Sequence, residues 1–106
     1  MNNSEQYRRE CEAREVLKMN PDKREEFYKG VLNHRKQRGL DALVAEVKRQ
    51  LKLEAGRVVL LSDEKRQEYY RNAFEARGQK GVDELIAEVK KLRRELAKKQ
   101  TLEMEV

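Results

Sequence analysis

Apolar residues in this chain fall three and four positions apart, and the pattern occurs twice. Leu40, Leu43, Val44, Val47 and Leu51 make one stripe of helical period. Val82, Leu85, Ile86, Val89, Leu92 and Leu96 make its later counterpart. Upstream of each lies a shorter set, Phe27, Tyr28, Val31 and Leu32, then Tyr69, Tyr70, Ala73 and Phe74, both predicted to face inward. Ser4 reads as an N-cap for a first helix over about 5–18, with Tyr7, Cys11, Ala13, Val16 and Leu17 as a looser stripe. Asn20-Pro21-Asp22 stops that helix and starts the next: Asn caps, Pro fits the first turn, and Asp suits the positive end of the dipole. Ser62-Asp63 does the same later in the chain. Gly39 is predicted to end the second helix, and Gly78 its counterpart. The last helix is predicted to run to about Lys99, with 100–106 as a frayed tail.

The recurrence is a repeat of sequence as well as of pattern. Residues 11–52 align without a gap onto 53–94, at an offset of 42. Lys23-Arg24, Glu26, Tyr28, Arg35, Gln37, Gly39, Asp41 and Leu43 return as Lys65-Arg66, Glu68, Tyr70, Arg77, Gln79, Gly81, Asp83 and Leu85. Ala45-Glu46-Val47-Lys48 returns unchanged as Ala87-Glu88-Val89-Lys90, and Glu12, Ala13 and Val16 return as Glu54, Ala55 and Val58. A fixed period of this size points to stacked helical units. The expected fold is all-α: two tandem 42-residue units, each an αα-hairpin, packed into one small helical bundle. Unit 1 covers 4–52 and unit 2 covers 53–99. A unit this small exposes too much surface to stand alone, so the two are expected to share a core. The copies differ at 54–61, where Gly56 and the β-branched Val58-Val59 leave a short helix, a buried connector or a strand open. Arg35 with Asp41, and Arg77 with Asp83, are expected to bridge the two hairpins.

Composition narrows the function classes. Charged residues are 42% of the 106, with 25 basic and 20 acidic, a net charge of +5. The signs alternate, as on solvated helix faces with i,i+4 pairs, and that reading is favoured over an anion-binding surface. The single Cys11 excludes an internal disulfide and fits a reducing cytoplasm. No apolar run reaches membrane length, and the N-terminus lacks a signal-peptide core.

Catalytic chemistry is poorly provided for. Cys11 and His34 cannot supply the four ligands of a zinc site, and a thiol–imidazole pair is less expected than a helix-face Cys beside a surface His. The second copy has Leu53 and Ala76 at those positions. No Gly-rich phosphate loop is present, and no Glu stands isolated among apolar neighbours as a tuned acid would. The expectation is no enzyme, no cofactor and no metal.

Two surfaces remain. Arg35, Arg38, Arg77 and Lys80 sit at the hairpin turns, where they could touch phosphates or satisfy helix C-termini. Sequence-specific reading of DNA is disfavoured, because the helix after each turn opens with Asp41 or with Asp83-Glu84, which would repel the backbone. Tyr28 and Tyr70 each belong to an adjacent aromatic pair, one member of which should lie at the core edge, where Tyr often serves interfaces.

Tyr7-Arg8-Arg9-Glu10-Cys11-Glu12-Ala13-Arg14, followed by Val16-Leu17, Arg24, Tyr28, Val31 and Arg38-Gly39, resembles a group of small proteins encoded by bacteriophages and prophages. They show a Tyr-Arg-x-x-Cys-Glu-x-Arg opening, a Val-Leu pair and an Arg-Gly turn. The resemblance covers about 4–52, and the second copy departs from it by lacking the Cys and by carrying Gly56 opposite Arg14. It implies a helical protein of the bacterial cytoplasm and carries over no activity or site residue.

The resulting expectation is a non-enzymatic protein-binding module. Its partner would be a bacterial host or defence protein, such as a CRISPR effector or a restriction component, contacted through Tyr28, Tyr70, Arg35 and Arg77. The alternative is an accessory protein that binds nucleic acid through phosphates alone, by Arg35, Arg38, Arg77 and Lys80.

Overall fold

The computed structural model describes the backbone of residues 2–104 and the side chains of 4–99. It is all-α: α1 (Asn2–Leu17), α2 (Pro21–Val58) and α3 (Asp63–Met104). No helix among the described residues is long and apolar enough to cross a membrane. α1 begins before Ser4, which therefore lies inside the helix and does not cap it. Asn20 does cap α2: its side chain accepts the Asp22 N–H at 2.9 Å, and Pro21 takes the first helical position. Ser62 caps α3, its hydroxyl accepting the Lys65 N–H at 3.4 Å. The backbone of α3 stays helical to Met104, where fraying was expected from 100; residues 105–106 lie outside the described residues.

α2 and α3 are each two helical arms joined at one sharply bent residue. The bend in α2 is Lys36, with φ 63° and ψ −179°; in α3 it is Gly78, with φ 71° and ψ −176°. These positions are related by the 42-residue offset. Gly78 was the expected end of its helix. Gly39 was expected to be the other turn, but the chain has already turned three residues earlier, at Lys36. Gly39 meets a different need: a Cβ there would lie 2.5 Å from Arg35 Cβ, across the crotch of the hairpin. Gly81 is in the same position against Arg77. Both glycines let two arms cross closely.

The apolar interior is laid out twice. Ala13, Val16, Leu17, Val31, Leu43 and Val47 form one buried cluster, edged by Phe27, Tyr28, Leu40 and Leu51. Ala55, Val58, Leu85 and Val89 form the other, edged by Val59, Tyr69, Tyr70, Leu92 and again Leu51. Ala13, Val16, Leu43 and Val47 are the first-copy counterparts of Ala55, Val58, Leu85 and Val89. Each unit is thus three helical segments around one cluster. The stretch 54–58 is helix, continuous with the preceding arm, and takes the part that the end of α1 takes in unit 1. The long second arm of α2 serves both units. This shared arm draws the molecule out to 51 × 33 × 24 Å, with a radius of gyration of 16.2 Å, against about 13 Å for a compact domain of this length.

Three expected inward residues face solvent instead. Leu32 is 39% exposed, Phe74 50% and Leu96 48%, and Tyr7 on α1 is 63% exposed. At these positions the helix is covered on one side only, so the buried stripe is narrower there than the apolar spacing.

Candidate interaction surface

The charged residues that recur between the copies prove to be internal fasteners. Arg35 makes a bidentate pair with Glu12 of α1, both bonds 2.7 Å. Forty-two residues on, Arg77 makes the same pair with Glu54, at 2.8 and 2.5 Å. The expected Arg–Asp bridges do not form. Asp41 and Asp83 instead accept from Gln37 and Gln79, both at 2.7 Å, each within one turn of its own helix. Aspartate is too short to reach across the hairpin, whereas Glu12 and Glu54 arrive from the neighbouring segment already aimed at the guanidinium. A planar guanidinium facing a carboxylate edge-on gives two parallel charge-assisted bonds, which fixes the angle between segments as well as their distance.

The two fasteners differ in surroundings. The Arg35 and Glu12 side chains are 47% and 32% exposed; those of Arg77 and Glu54 are 4% and 8% exposed. The second lies beside Arg14, Leu17 and Lys18 at the end of α1. There Tyr69, which replaces Phe27, adds a hydroxyl that donates to Glu54 at 2.5 Å. Burial, and then the bond to Glu54 with its negative charge, push the Tyr69 phenol up to about 12. In unit 1 the hydrogen bond from Arg35 holds Glu12 below the usual carboxylate range. The bond from Arg49 does the same for Glu46. Burial raises Tyr28 and Tyr70.

A third arginine joins the units. Arg24 is 7% exposed and reaches back over the end of α1, donating to the carbonyls of Leu17 at 3.0 Å, Val16 at 3.3 Å and Met19 at 3.4 Å. The Leu17 carbonyl is one that the helix end leaves without a helical partner, while the Val16 carbonyl also accepts the Met19 N–H at 3.1 Å. Its other nitrogen reaches Glu84 on α3, 2.9 Å from both oxygens. Beside it, Lys80 holds Asp22 at 3.0 Å. Arg66 repeats only part of this: it donates to the Leu61 carbonyl at 2.9 Å and pairs with Asp63 at 3.0 Å.

The sequence-predicted candidates therefore divide. Arg77 is buried and fully engaged by Glu54, so it belongs neither to a protein-binding nor to a phosphate-binding surface. Arg35 is half-exposed but tied to Glu12, and Lys80 is exposed but tied to Asp22. Arg38 is exposed, with no ion pair among the described residues. Tyr28 and Tyr70 are half-buried at the edges of the two clusters. Cys11 is a half-buried free thiol and His34 is exposed. Among the described residues no three His, Cys, Asp or Glu side chains gather as metal ligands.

The apolar positions that the periodicity misplaced are the informative ones. Leu32 and Phe74 are 42 apart and are both exposed on the first arm of a hairpin. A single exposed Leu means nothing. The same misplacement in both copies marks a position that the scaffold itself presents. The signal was present in the repeat, since both residues close an inward-looking quartet and both are large and apolar.

No curated protein and no solved structure matches this chain. Its residues 1–53 match a family described as a family of unknown function (DUF7696), and that stretch coincides with unit 1: α1, both arms of the first hairpin, and the Arg35–Glu12 fastener. The match spans half of the 106 residues, and the chain belongs to the DUF7696 family.

Proposed function

We propose that this chain is a non-enzymatic protein-binding module that presents Leu32 and Phe74 from a rigid two-unit scaffold. The observation that carries the reading is their recurrence: two large apolar side chains exposed at repeat-related positions, on arms held in place by paired fasteners. Apolar anchors on a rigid frame bind with little ordering cost. The surrounding charge favours specificity of encounter over raw affinity. The resemblance to phage-encoded proteins suggests a bacterial host or defence protein as the partner. Phosphate binding is less well supported, because Arg77, Arg35 and Lys80 are already committed to carboxylates.

Affinity capture from a bacterial lysate, with and without nuclease, tests this. A partner retained after nuclease by the wild type, but lost with Leu32→Ser and Phe74→Ser together, is the expected result. Capture of nucleic acid alone, abolished by nuclease, would overturn it in favour of phosphate binding.

A further inference from the structure

Unit 1 has a groove at the place where, in unit 2, the start of α2 narrows the space to about 200 Å³. The groove lies between α1 and the first hairpin, encloses about 280 Å³, and is lined by Gln6, Arg9, Arg35, Gly39, Ala42 and Leu43, among others. The counterparts of Gln6, Arg9 and Ala42 are Lys48, Leu51 and Glu84. Those three line the narrower space together with Pro21, Arg24 and Tyr28 from the start of α2, and Arg24 is bonded to Glu84. The burial pattern follows. Arg77, Gly81 and Val82 are buried, whereas Arg35 is exposed and Gly39 and Leu40 are half-buried. The scaffold is alike in both places, and among the described residues no helix lies over the first as the start of α2 lies beside the second.

We infer that this groove takes an amphipathic helix from a partner protein, lying as residues 21–28 lie on unit 2, with an acidic first turn against Arg38 and an apolar residue over Ala42. The molecule's own joint supplies the template. There Asp22, in the first turn of α2, meets Lys80 at 3.0 Å. Arg38 occupies the position of Lys80, and Lys36 beside it adds a second exposed cation. Both face solvent with no carboxylate partner among the described residues, so an incoming acidic turn is attracted and a basic one repelled. The middle of the site is different. Glu84, which draws in Arg24, has become Ala42, so the occupant needs no arginine there and finds a small apolar floor of Ala42 and Leu43. A second copy presenting its residues 63–70, the counterpart of 21–28, would bring its arm 86–94 into the place of α1, since α1 takes in unit 1 the place of the arm 44–52 in unit 2, so the occupant is a helix of another protein. The groove is separate from Leu32 and Phe74, and its failure would leave the reading of those residues standing.

The test uses the intact chain and a helix-stapled peptide with the sequence of residues 20–34 carrying Arg24→Leu, followed by amide chemical shifts in an NMR titration. The expected result is saturable binding with shifts at Gln6, Arg9, Gly39 and Ala42, weakened about tenfold by Arg38→Glu and recovered when the peptide's Asp22 is changed to Lys. Arg38 is exposed and has no ion pair among the described residues, so the variant stays folded, and the unperturbed remainder of the spectrum verifies this. No saturable shifts up to about millimolar peptide, shifts centred on Leu32 and Phe74, or binding indifferent to both charge changes would each overturn the proposal.

Discussion

Lys36 holds a backbone conformation that belongs to glycine. Its φ of 63° with ψ near 180° is a region that side-chain-bearing residues avoid, and its counterpart in unit 2 is Gly78. Lys36→Gly should therefore stabilise the chain by about 1 kcal/mol. Gly78→Ala should destabilise it by about 1–3 kcal/mol, because the added Cβ would also meet Asn20 Nδ2 at 2.8 Å and disturb the cap of α2. Urea unfolding of the two variants checks both signs. The fasteners make a second contrast. Glu54→Gln strips a buried arginine of its charge partner and should cost about 3–5 kcal/mol. Glu12→Gln breaks a pair that water already screens and should cost less than about 1 kcal/mol. Equal effects in urea would show that burial does not set the strength of these pairs. Tyr69 adds a pH dependence. Its folded value of about 12 lies above the ordinary 10, so the folded chain holds the phenol proton more tightly than the unfolded one. The stabilisation is complete below pH 10 and is lost as the pH rises toward 12. Tyr69→Phe should therefore show a shallower fall in urea midpoint across that window than the wild type.

At the scale of the helix and hairpin, the close crossings carry the prediction. Gly81→Ala should destabilise by about 1–3 kcal/mol through overpacking, since Arg77 is locked by Glu54 and cannot yield. Gly39→Ala should cost less, because Arg35 is half-exposed and can shift. Thermal unfolding followed by circular dichroism ranks them. The elements themselves were legible in the sequence. Asn20-Pro21 and Ser62-Asp63 mark helix starts, and the stripes led by Leu43 and Leu85 mark buried faces, because caps and periodicity are local signals. The hairpin turn was misplaced at Gly39 because a glycine needed for close approach looks the same in sequence as one needed for positive φ. The Arg–Glu fasteners were legible only in outline. Both partners recur at the offset of 42, yet the nearer aspartates competed for the same arginines, and which carboxylate wins depends on reach across a packed hairpin. Leu32 and Phe74 were read inward because their spacing fits a fully covered helix, while the first arm of each hairpin is left open on the face that carries them.

At the scale of the whole molecule, two like units share one arm and are joined by Arg24–Glu84 and Lys80–Asp22. The first pair is largely buried on the arginine side and the second is exposed, so the joint should depend mainly on Arg24. The central claim is that this scaffold serves to hold Leu32 and Phe74 against a protein partner without turnover. The measurement that tests it most directly is a calorimetric titration of the captured partner with wild type, Leu32→Ser, Phe74→Ser and the double variant, each verified as helical by circular dichroism. The account predicts that each single change weakens binding about tenfold or more, with the double variant losing it. Folded variants that all bind as the wild type does would contradict it.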